Sequence, residues 1–134
     1  MSSPARLVIY IDGACRFNPG PAGIGVAVYD EQGTLIAGIS EAIGDATNNI
    51  AEWSAYVRAL REAKRLGAKR LDIYTDSQLL ARQVSGQYKI RNPHLQSLAA
   101  LAMALRPEFD RVTVTSIPRE RNKVADKLSK EAVF

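Results

Sequence analysis

Two short runs of β-branched and aromatic residues each end in an aspartate, and this repeated ending constrains the fold more than any other feature. Residues 7–11 read LVIYI and precede Asp12, and residues 71–75 read LDIYT and precede Asp76. Each aspartate is expected to open a turn. If both runs are central strands of one parallel sheet, the two carboxylates meet at its carboxyl edge, where open α/β sheets bind ligands. Clustered carboxylates without histidine or thiol partners favour hard divalent cations such as Mg²⁺ or Mn²⁺.

The size and composition of the chain fit one globular domain over residues 1–134. Apolar residues make up 46% and charged residues 24%, values that argue against disorder and against insertion into a membrane. The first six residues lack the apolar core of a signal peptide, which predicts a cytoplasmic protein. One cysteine excludes an internal disulfide. The sequence gives no sign of an obligate protein partner.

The net charge of +4 permits a polyanionic partner without demanding one. The distribution of the basic residues is more informative than their number, because several crowd the last segment of the chain: Arg119, Arg121, Lys123, Lys127 and Lys130. A solvated basic face remains the alternative interpretation of this cluster.

Three strands precede the first helix in the predicted element order. Alternating or β-branched runs predict strands over 7–11, 23–29 and 34–40, joined as an antiparallel meander by a loop over 13–21. Cap residues at 47–49 precede Ile50, Trp53 and further apolar residues at helical spacing, and Gly67 closes this helix. The rest of the chain predicts a strand over 70–75, helices over 77–84 and 95–105, a strand over 111–117 and a helix over 122–133.

This order predicts an α/β fold with a mixed five-stranded sheet flanked by helices. The first three strands are antiparallel, and right-handed helical crossovers then add parallel strands. Response-regulator receiver domains also place aspartates at strand ends, but they alternate strand and helix from the outset. The three leading strands therefore exclude that fold.

Helical periodicity gives different positions for two further acids. At 100° per residue, Glu52 lies about 110° from the centre of the apolar face of its helix, at the border of the buried side and in the first turn. On the last helix, Asp126 lies about 145° from the apolar stripe. Periodicity alone therefore predicts a solvated surface charge at Asp126.

Four sequence blocks distinguish these acids from ordinary surface charges. Residues 12–20 read DGACRFNPG, 47–52 read TNNIAE, 75–78 read TDSQ and 122–126 read NKVAD. In order and spacing they resemble the four signature blocks of type 1 ribonuclease H, over nearly the whole chain. The resemblance implies a ribonuclease H-like fold, which agrees with the element order, and an active site in which four acids hold two Mg²⁺ or Mn²⁺ ions. These acids are Asp12, Glu52, Asp76 and Asp126.

The resemblance also implies an activity and a set of substrate contacts. The family cleaves the RNA strand of RNA–DNA hybrids and leaves 5′-phosphate and 3′-hydroxyl ends, with the hybrid duplex as partner. The family residues that contact the RNA strand across the minor groove match Cys15, Asn18, Asn48, Asn49 and Gln78, and Thr47 matches a contact to a phosphate of the DNA strand. A turn role for Asn18 and a cap role for Asn48 remain alternatives.

The chain departs from the family pattern in two places. Residues 86–92 are too short for the basic protrusion that many bacterial members carry, so the chain resembles a minimal form. The loop before the last aspartate lacks the histidine that many members place there, and Arg119, Glu120 or Arg121 is a candidate substitute. The sole histidine, His94, follows Pro93 at a helix start and is expected to be structural or solvated.

Two other functions remain open at the level of sequence. One is a non-catalytic module that binds RNA–DNA hybrids, against which the presence of all four acids counts. The other is a relaxed nuclease that also cleaves double-stranded RNA, since both duplexes display a 2′-hydroxyl on the cleaved strand.

Overall fold

The computed structural model describes residues 5–134, and its helices and strands follow the predicted order. The strands are β1 (Arg6–Cys15), β2 (Gly20–Tyr29), β3 (Leu35–Ala46), β4 (Arg70–Thr75) and β5 (Arg111–Ser116). The helices are α1 (Asn48–Leu66), α2 (Gln78–Val84), α3 (Pro93–Leu105) and α4 (Lys123–Glu131). Two short 3₁₀ turns, Arg106–Glu108 and Arg119–Arg121, were not predicted. The predictions for residues 1–4, at the start of the domain, lie outside the described residues.

The five strands form one mixed sheet in the order β3-β2-β1-β4-β5. β1 pairs with β2 and β2 with β3 in antiparallel fashion, whereas β1 with β4 and β4 with β5 are parallel. The predicted fold class is therefore confirmed. β1 occupies the centre, and its register pairs Ile11 with Thr75, so that Asp12 and Asp76 follow side by side at the carboxyl end of two adjacent strands.

The first three strands are longer than the sequence predicts. Asp12 lies inside β1 and pairs with Gly25 of β2, so the expectation that it opens a turn is wrong. The reason is that β1 has two partners of different length: pairing with β4 stops at Ile11, while pairing with β2 continues to Cys15. β3 likewise runs to Ala46, beyond the predicted end at residue 40, because β2 begins early enough to pair with it there.

Helices cover the two faces of the sheet. Every second residue of β1 faces the core on the α1 side. These residues are Leu7, Ile9 and Ile11, and all three are fully buried. Trp53 of α1 lies in this core as predicted, and its Nε1 donates a hydrogen bond to Gln83 Oε1 at 2.8 Å. None of the helices in residues 5–134 combines the length and apolar character needed to cross a bilayer.

Two glycines allow helices to approach the sheet beside the acids. A Cβ on Gly13 would lie 2.6 Å from the backbone carbonyl carbon of Ala51 in α1. A Cβ on Gly25 would lie 2.2 Å from the backbone oxygen of Ala125 in α4. Because backbone atoms at these distances cannot move aside cheaply, both positions require glycine. The glycines thus bring α1 and α4 against β1 and β2 at the level of Asp12.

Candidate active site

Three carboxylates from three separate elements converge at the carboxyl end of the central strands. Asp12 comes from β1, Glu52 from α1 and Asp76 from the residue after β4, and one oxygen from each lies within 4.8 Å of the others. Asp12 is 3% and Glu52 8% exposed, so two of the three charges are almost removed from water. Such proximity is unfavourable for three anions without a compensating cation.

The burial of this group changes its protonation in the ion-free protein. Burial, reinforced by the charge of Asp76, raises the pKa of Asp12 to about 7. Burial and the neighbouring Asp12 raise the pKa of Glu52 well above its ordinary value. Burial also raises the pKa of Asp76, although the positive charge of Arg119 opposes the change.

Glu52 is the member of the group whose surroundings differ most from the prediction. The sequence predicts Glu52 in the first turn of α1, but it is the fifth residue of the helix. The sequence also predicts it at the border of the apolar face, but its side chain is buried. The close approach of α1 to Gly13 accounts for this burial. Within the described chain, its Oε2 atom is buried without a hydrogen-bond partner. An orphaned carboxylate oxygen beside two other carboxylates fits a bound cation.

Asp126 lines the same groove but lies in a different environment. Its side chain is 22% exposed, and Lys130 Nζ lies 3.1 Å from one carboxylate oxygen while Arg119 Nη2 lies 3.6 Å from the other. Burial alone would raise the pKa of Asp126, but Lys130 and Arg119 outweigh it and hold the pKa below its ordinary value. The prediction of a solvated surface charge, made from periodicity alone, is therefore wrong, because the side chain lies in the groove with the other acids.

Two buried polar residues that the sequence analysis missed hold α4 in place. Asn122, at the start of α4, donates from Nδ2 to the backbone oxygen of Ile11 at 2.8 Å, directly before Asp12. Ser129 donates from Oγ to the backbone oxygen of Asp126 at 2.8 Å and lies 3.5 Å from Asp12 Oδ2. Asn122 lies four residues before Asp126 and Ser129 lies three residues after it, so all three lie on one side of the helix. This spacing was the sequence signal by which the two residues could have been found.

The acids lie in an open groove of about 900 Å³ that also collects most of the predicted substrate-binding residues. Those that line it are Cys15, Asn18, Thr47, Asn48 and Asn49. Gln78 is different, because it is exposed at the first position of α2 and does not line the groove, although its neighbours Ser77 and Leu79 do.

Local hydrogen bonds engage several of these side chains within the fold. Thr47 caps α1 by accepting from Ile50 N at 3.2 Å, and Asn18 Oδ1 accepts from Asn48 N at 3.0 Å, which ties the β1–β2 loop to the start of α1. Cys15 Sγ lies 3.4 Å from the backbone oxygen of Ala46, and burial raises the pKa of its thiol. Asn49 differs, since its Oδ1 is buried and has no partner among the described residues.

The basic residues near the C-terminus differ in location. Arg119 and Lys130 line the acidic groove, Arg121 and Lys123 line a separate pocket together with the acidic Glu120, and Lys127 lines neither. Among the three candidates for the missing histidine, Arg119 is thus the one that reaches the acids. His94 is exposed at the second position of α3 and does not line the groove, which agrees with the expectation for it.

The donor set fits a hard divalent cation. It consists of carboxylate oxygens, and magnesium and manganese prefer oxygen ligands. The Oε2 atom of Glu52 has no partner among the described residues, and burial together with the charge of Asp76 raises the pKa of Asp12, so a bound cation would stabilise the ionised carboxylates.

Comparisons with known proteins agree with this geometry. The reverse transcriptase-like family matches residues 10–132. The chain is 40% identical over 129 residues to the bifunctional protein Rv2228c of Mycobacterium tuberculosis. The aligned region covers 96% of this chain but 35% of that protein. The solved N-terminal RNase H domain of Rv2228c superposes with a TM-score of 0.92 and is covered to 99%.

Two further relatives extend the likeness. Ribonuclease HI of Halobacterium salinarum is 38% identical over 96% of this chain, which spans 64% of that protein, and its crystal structure superposes with a TM-score of 0.91. LC11-RNase H1, whose solved structure is a complex with an RNA/DNA hybrid, is 39% identical over 95% of this chain and 96% of its own, with a TM-score of 0.89.

Proposed function

This chain belongs to the type 1 ribonuclease H family, and we propose that it is a metal-dependent endonuclease that hydrolyses the RNA strand of RNA–DNA hybrids. The observation that carries the proposal is the trio of Asp12, Glu52 and Asp76, with an orphaned Glu52 oxygen, in an open groove of about 900 Å³. A module that only binds a polyanion gains nothing from uncompensated carboxylates beside phosphates. The trio therefore favours catalysis over a non-catalytic hybrid-binding role.

The four acids divide between two cations in this proposal. Asp12, Glu52 and Asp76 would hold the first cation, and Asp12 and Asp126 would hold the second. The chemistry that bound Mg²⁺ or Mn²⁺ would supply there is activation of a water molecule and stabilisation of negative charge on the phosphate and the leaving oxygen. The protein contributes position: β4 pairs with β1, and α1 and α4 both pack on β1, so the carboxylates are held in place before the substrate arrives.

The remaining groove residues bind and orient the hybrid. Asn49 Oδ1, buried and unpartnered, is suited to accept a hydrogen bond from a ribose 2′-hydroxyl, the group that distinguishes RNA from DNA. Cys15, Asn18 and Asn48 lie along the same groove and extend the contact with the RNA strand. Thr47, at the N-terminal end of α1, lies where backbone N–H groups and the helix dipole favour a phosphate of the DNA strand. Gln78 adds a contact from the exposed start of α2.

Arg119 supplies positive charge at the reacting end of the groove. Its guanidinium faces Asp126 at 3.6 Å and acts electrostatically on Asp76. In this chain we assign to Arg119 the place of the loop histidine of other members, as a residue that contacts the phosphate at the cleaved bond. An arginine stays protonated, so this role is electrostatic and excludes proton transfer by its side chain.

A cleavage panel tests the proposed function. RNA–DNA, RNA–RNA and DNA–DNA duplexes, each labelled on one strand, are incubated with Mg²⁺, Mn²⁺ or chelator. We expect cleavage of the RNA strand of the hybrid alone, with 5′-phosphate and 3′-hydroxyl ends and no product in chelator. Asp76→Asn is the inactive control.

Each other outcome of the panel has a defined meaning. Equal cleavage of RNA–RNA would establish the relaxed nuclease in place of the hybrid-specific enzyme. Tight hybrid binding without cleavage under any ion would establish the non-catalytic module and refute the proposal.

A further inference from the structure

The structure contains a further cavity that shares no lining residue with the groove of the acids. It has a volume of about 520 Å³ and lies between α1, α2, α3 and the edge strand β5. This volume falls within the range of pockets that bind small molecules. Most of its wall is apolar and includes the side chains of Trp53, Val84, Ile90, Met103, Val112 and Val114.

Tyr56 contributes to this cavity a hydroxyl group that the fold leaves without a partner. The residue is 4% exposed and lines the cavity, and its hydroxyl makes no hydrogen bond with the described part of the chain. Burial raises the pKa of Tyr56 to about 12, so the hydroxyl stays protonated and can donate at neutral pH. A nearly buried donor without an acceptor is unfavourable, and a ligand that carries an acceptor would remove this cost.

Arg106 adds a positive charge beside this hydroxyl. Its Nη1 atom donates to the backbone oxygen of Phe109 at 3.0 Å, which holds the guanidinium at the cavity and leaves its other N–H groups for a ligand. The charge of Arg106 acts on Tyr56 and opposes the effect of burial on its pKa, so the two polar groups are neighbours. No aspartate or glutamate is found among the described residues that line the cavity. The cavity therefore favours an anion.

We propose that this cavity binds a small apolar carboxylate. The carboxylate group accepts hydrogen bonds from the Tyr56 hydroxyl and from the Arg106 guanidinium, and bonds of this kind are strengthened by the charges. The apolar body of the ligand packs against Trp53 and Met103. Met103 is 76% exposed, and its flexible side chain can adapt to the ligand and cover it.

The chain carries its own probe for this site, because its sole tryptophan, Trp53, lines the cavity. The whole chain is titrated at pH 7 with octanoate, below the concentration at which octanoate forms micelles, and tryptophan fluorescence is followed. We expect a saturable change. Two related probes separate the parts of the ligand: 1-octanol has the same tail without the charge, and butanoate has the charge with a shorter tail. Each should bind about tenfold more weakly than octanoate or worse.

Two substitutions test the polar groups separately. Tyr56→Phe and Arg106→Gln should each weaken octanoate binding about tenfold, the effect of losing one hydrogen bond to a charged group. Tyr56→Phe should leave the urea unfolding of the ligand-free protein unchanged or more stable, because the hydroxyl has no partner in the fold. Arg61→Gln is the matched control, since Arg61 is exposed on α1 but does not line the cavity, and it should bind octanoate as wild type does.

Three results would overturn the assignment of this site. The first is a fluorescence signal that does not saturate with octanoate. The second is equal binding of octanoate and 1-octanol, which would show an apolar cavity that does not recognise the carboxylate. The third is unchanged octanoate binding in both Tyr56→Phe and Arg106→Gln, which would place the ligand elsewhere on the protein. The site is independent of the proposed nuclease function, so the outcome of the cleavage panel does not alter the meaning of this titration.

Discussion

Replacing Asp12 by asparagine should stabilise the ion-free protein at alkaline pH while abolishing cleavage. Burial beside Asp76 raises the pKa of Asp12 from 3.8 to about 7, so the folded protein binds this proton more tightly than the unfolded chain does. Stability in chelator therefore falls as the pH rises from about 4 to about 7, and the loss is complete above that range. Asparagine keeps the shape and the oxygen that accepts from Gly13 N at 3.0 Å, but carries no charge.

The magnitude follows from the size of the pKa change. A shift of about 3 pKa units at Asp12 corresponds to about 4 kcal/mol of lost stability above pH 7. Glu52 and Asp76 keep their mutual repulsion in the variant, so we expect Asp12→Asn to recover about 2–4 kcal/mol. Mg²⁺ should offset most of this difference, because a ligand at 100 times its dissociation constant stabilises wild type by about 2.7 kcal/mol and the variant has lost a ligand.

The assay is urea unfolding followed by circular dichroism, in chelator and in Mg²⁺, at pH 5 and pH 8. The difference between variant and wild type in chelator should be large at pH 8 and small at pH 5. Glu131→Gln, which changes an exposed carboxylate, is the control and should remain within about 0.5 kcal/mol of wild type at both values. A variant less stable than wild type in chelator at pH 8 would refute the reasoning about the buried charge.

Three further experiments test separate parts of the site. Gly13→Ala places a Cβ 2.6 Å from the backbone of α1, so we expect a loss of about 1–3 kcal/mol in urea unfolding and weaker Mn²⁺ binding; an unchanged protein would contradict the close approach. Thr47→Ala removes the α1 cap and should cost about 1 kcal/mol, which Thr47→Ser should recover. Arg119→Ala should lower kcat on a labelled hybrid while Glu120→Ala and Arg121→Ala do not; unchanged turnover in all three would dismiss the assigned role.

The element order and the meeting of the central strands could be predicted because they depend on local patterns. Alternation, β-branched runs and cap residues specify each element, and a helix between two strands favours a crossover to a parallel neighbour. These features place Asp12 and Asp76 at one edge without further information. The strand ends could not be predicted in the same way, because β1 continues past Asp12 only where β2 offers a longer partner.

The surroundings of Glu52 and Asp126 depend on contacts between elements that are distant in sequence. Periodicity describes one helix by itself, so it cannot predict the close approach of α1 to β1 that Gly13 allows. It also treats the side of α4 opposite the apolar stripe as solvent. In the structure that side of α4 borders the groove, where Asp126 meets Lys130.

The most direct test of the account is a crystal structure with an uncleaved RNA–DNA hybrid in which anomalous scattering locates bound Mn²⁺. The account predicts Mn²⁺ between the carboxylates of Asp12, Glu52 and Asp76, next to a phosphate of the RNA strand, and a second ion beside Asp126. Mn²⁺ bound elsewhere, or a hybrid lying on another face of the protein, would contradict it.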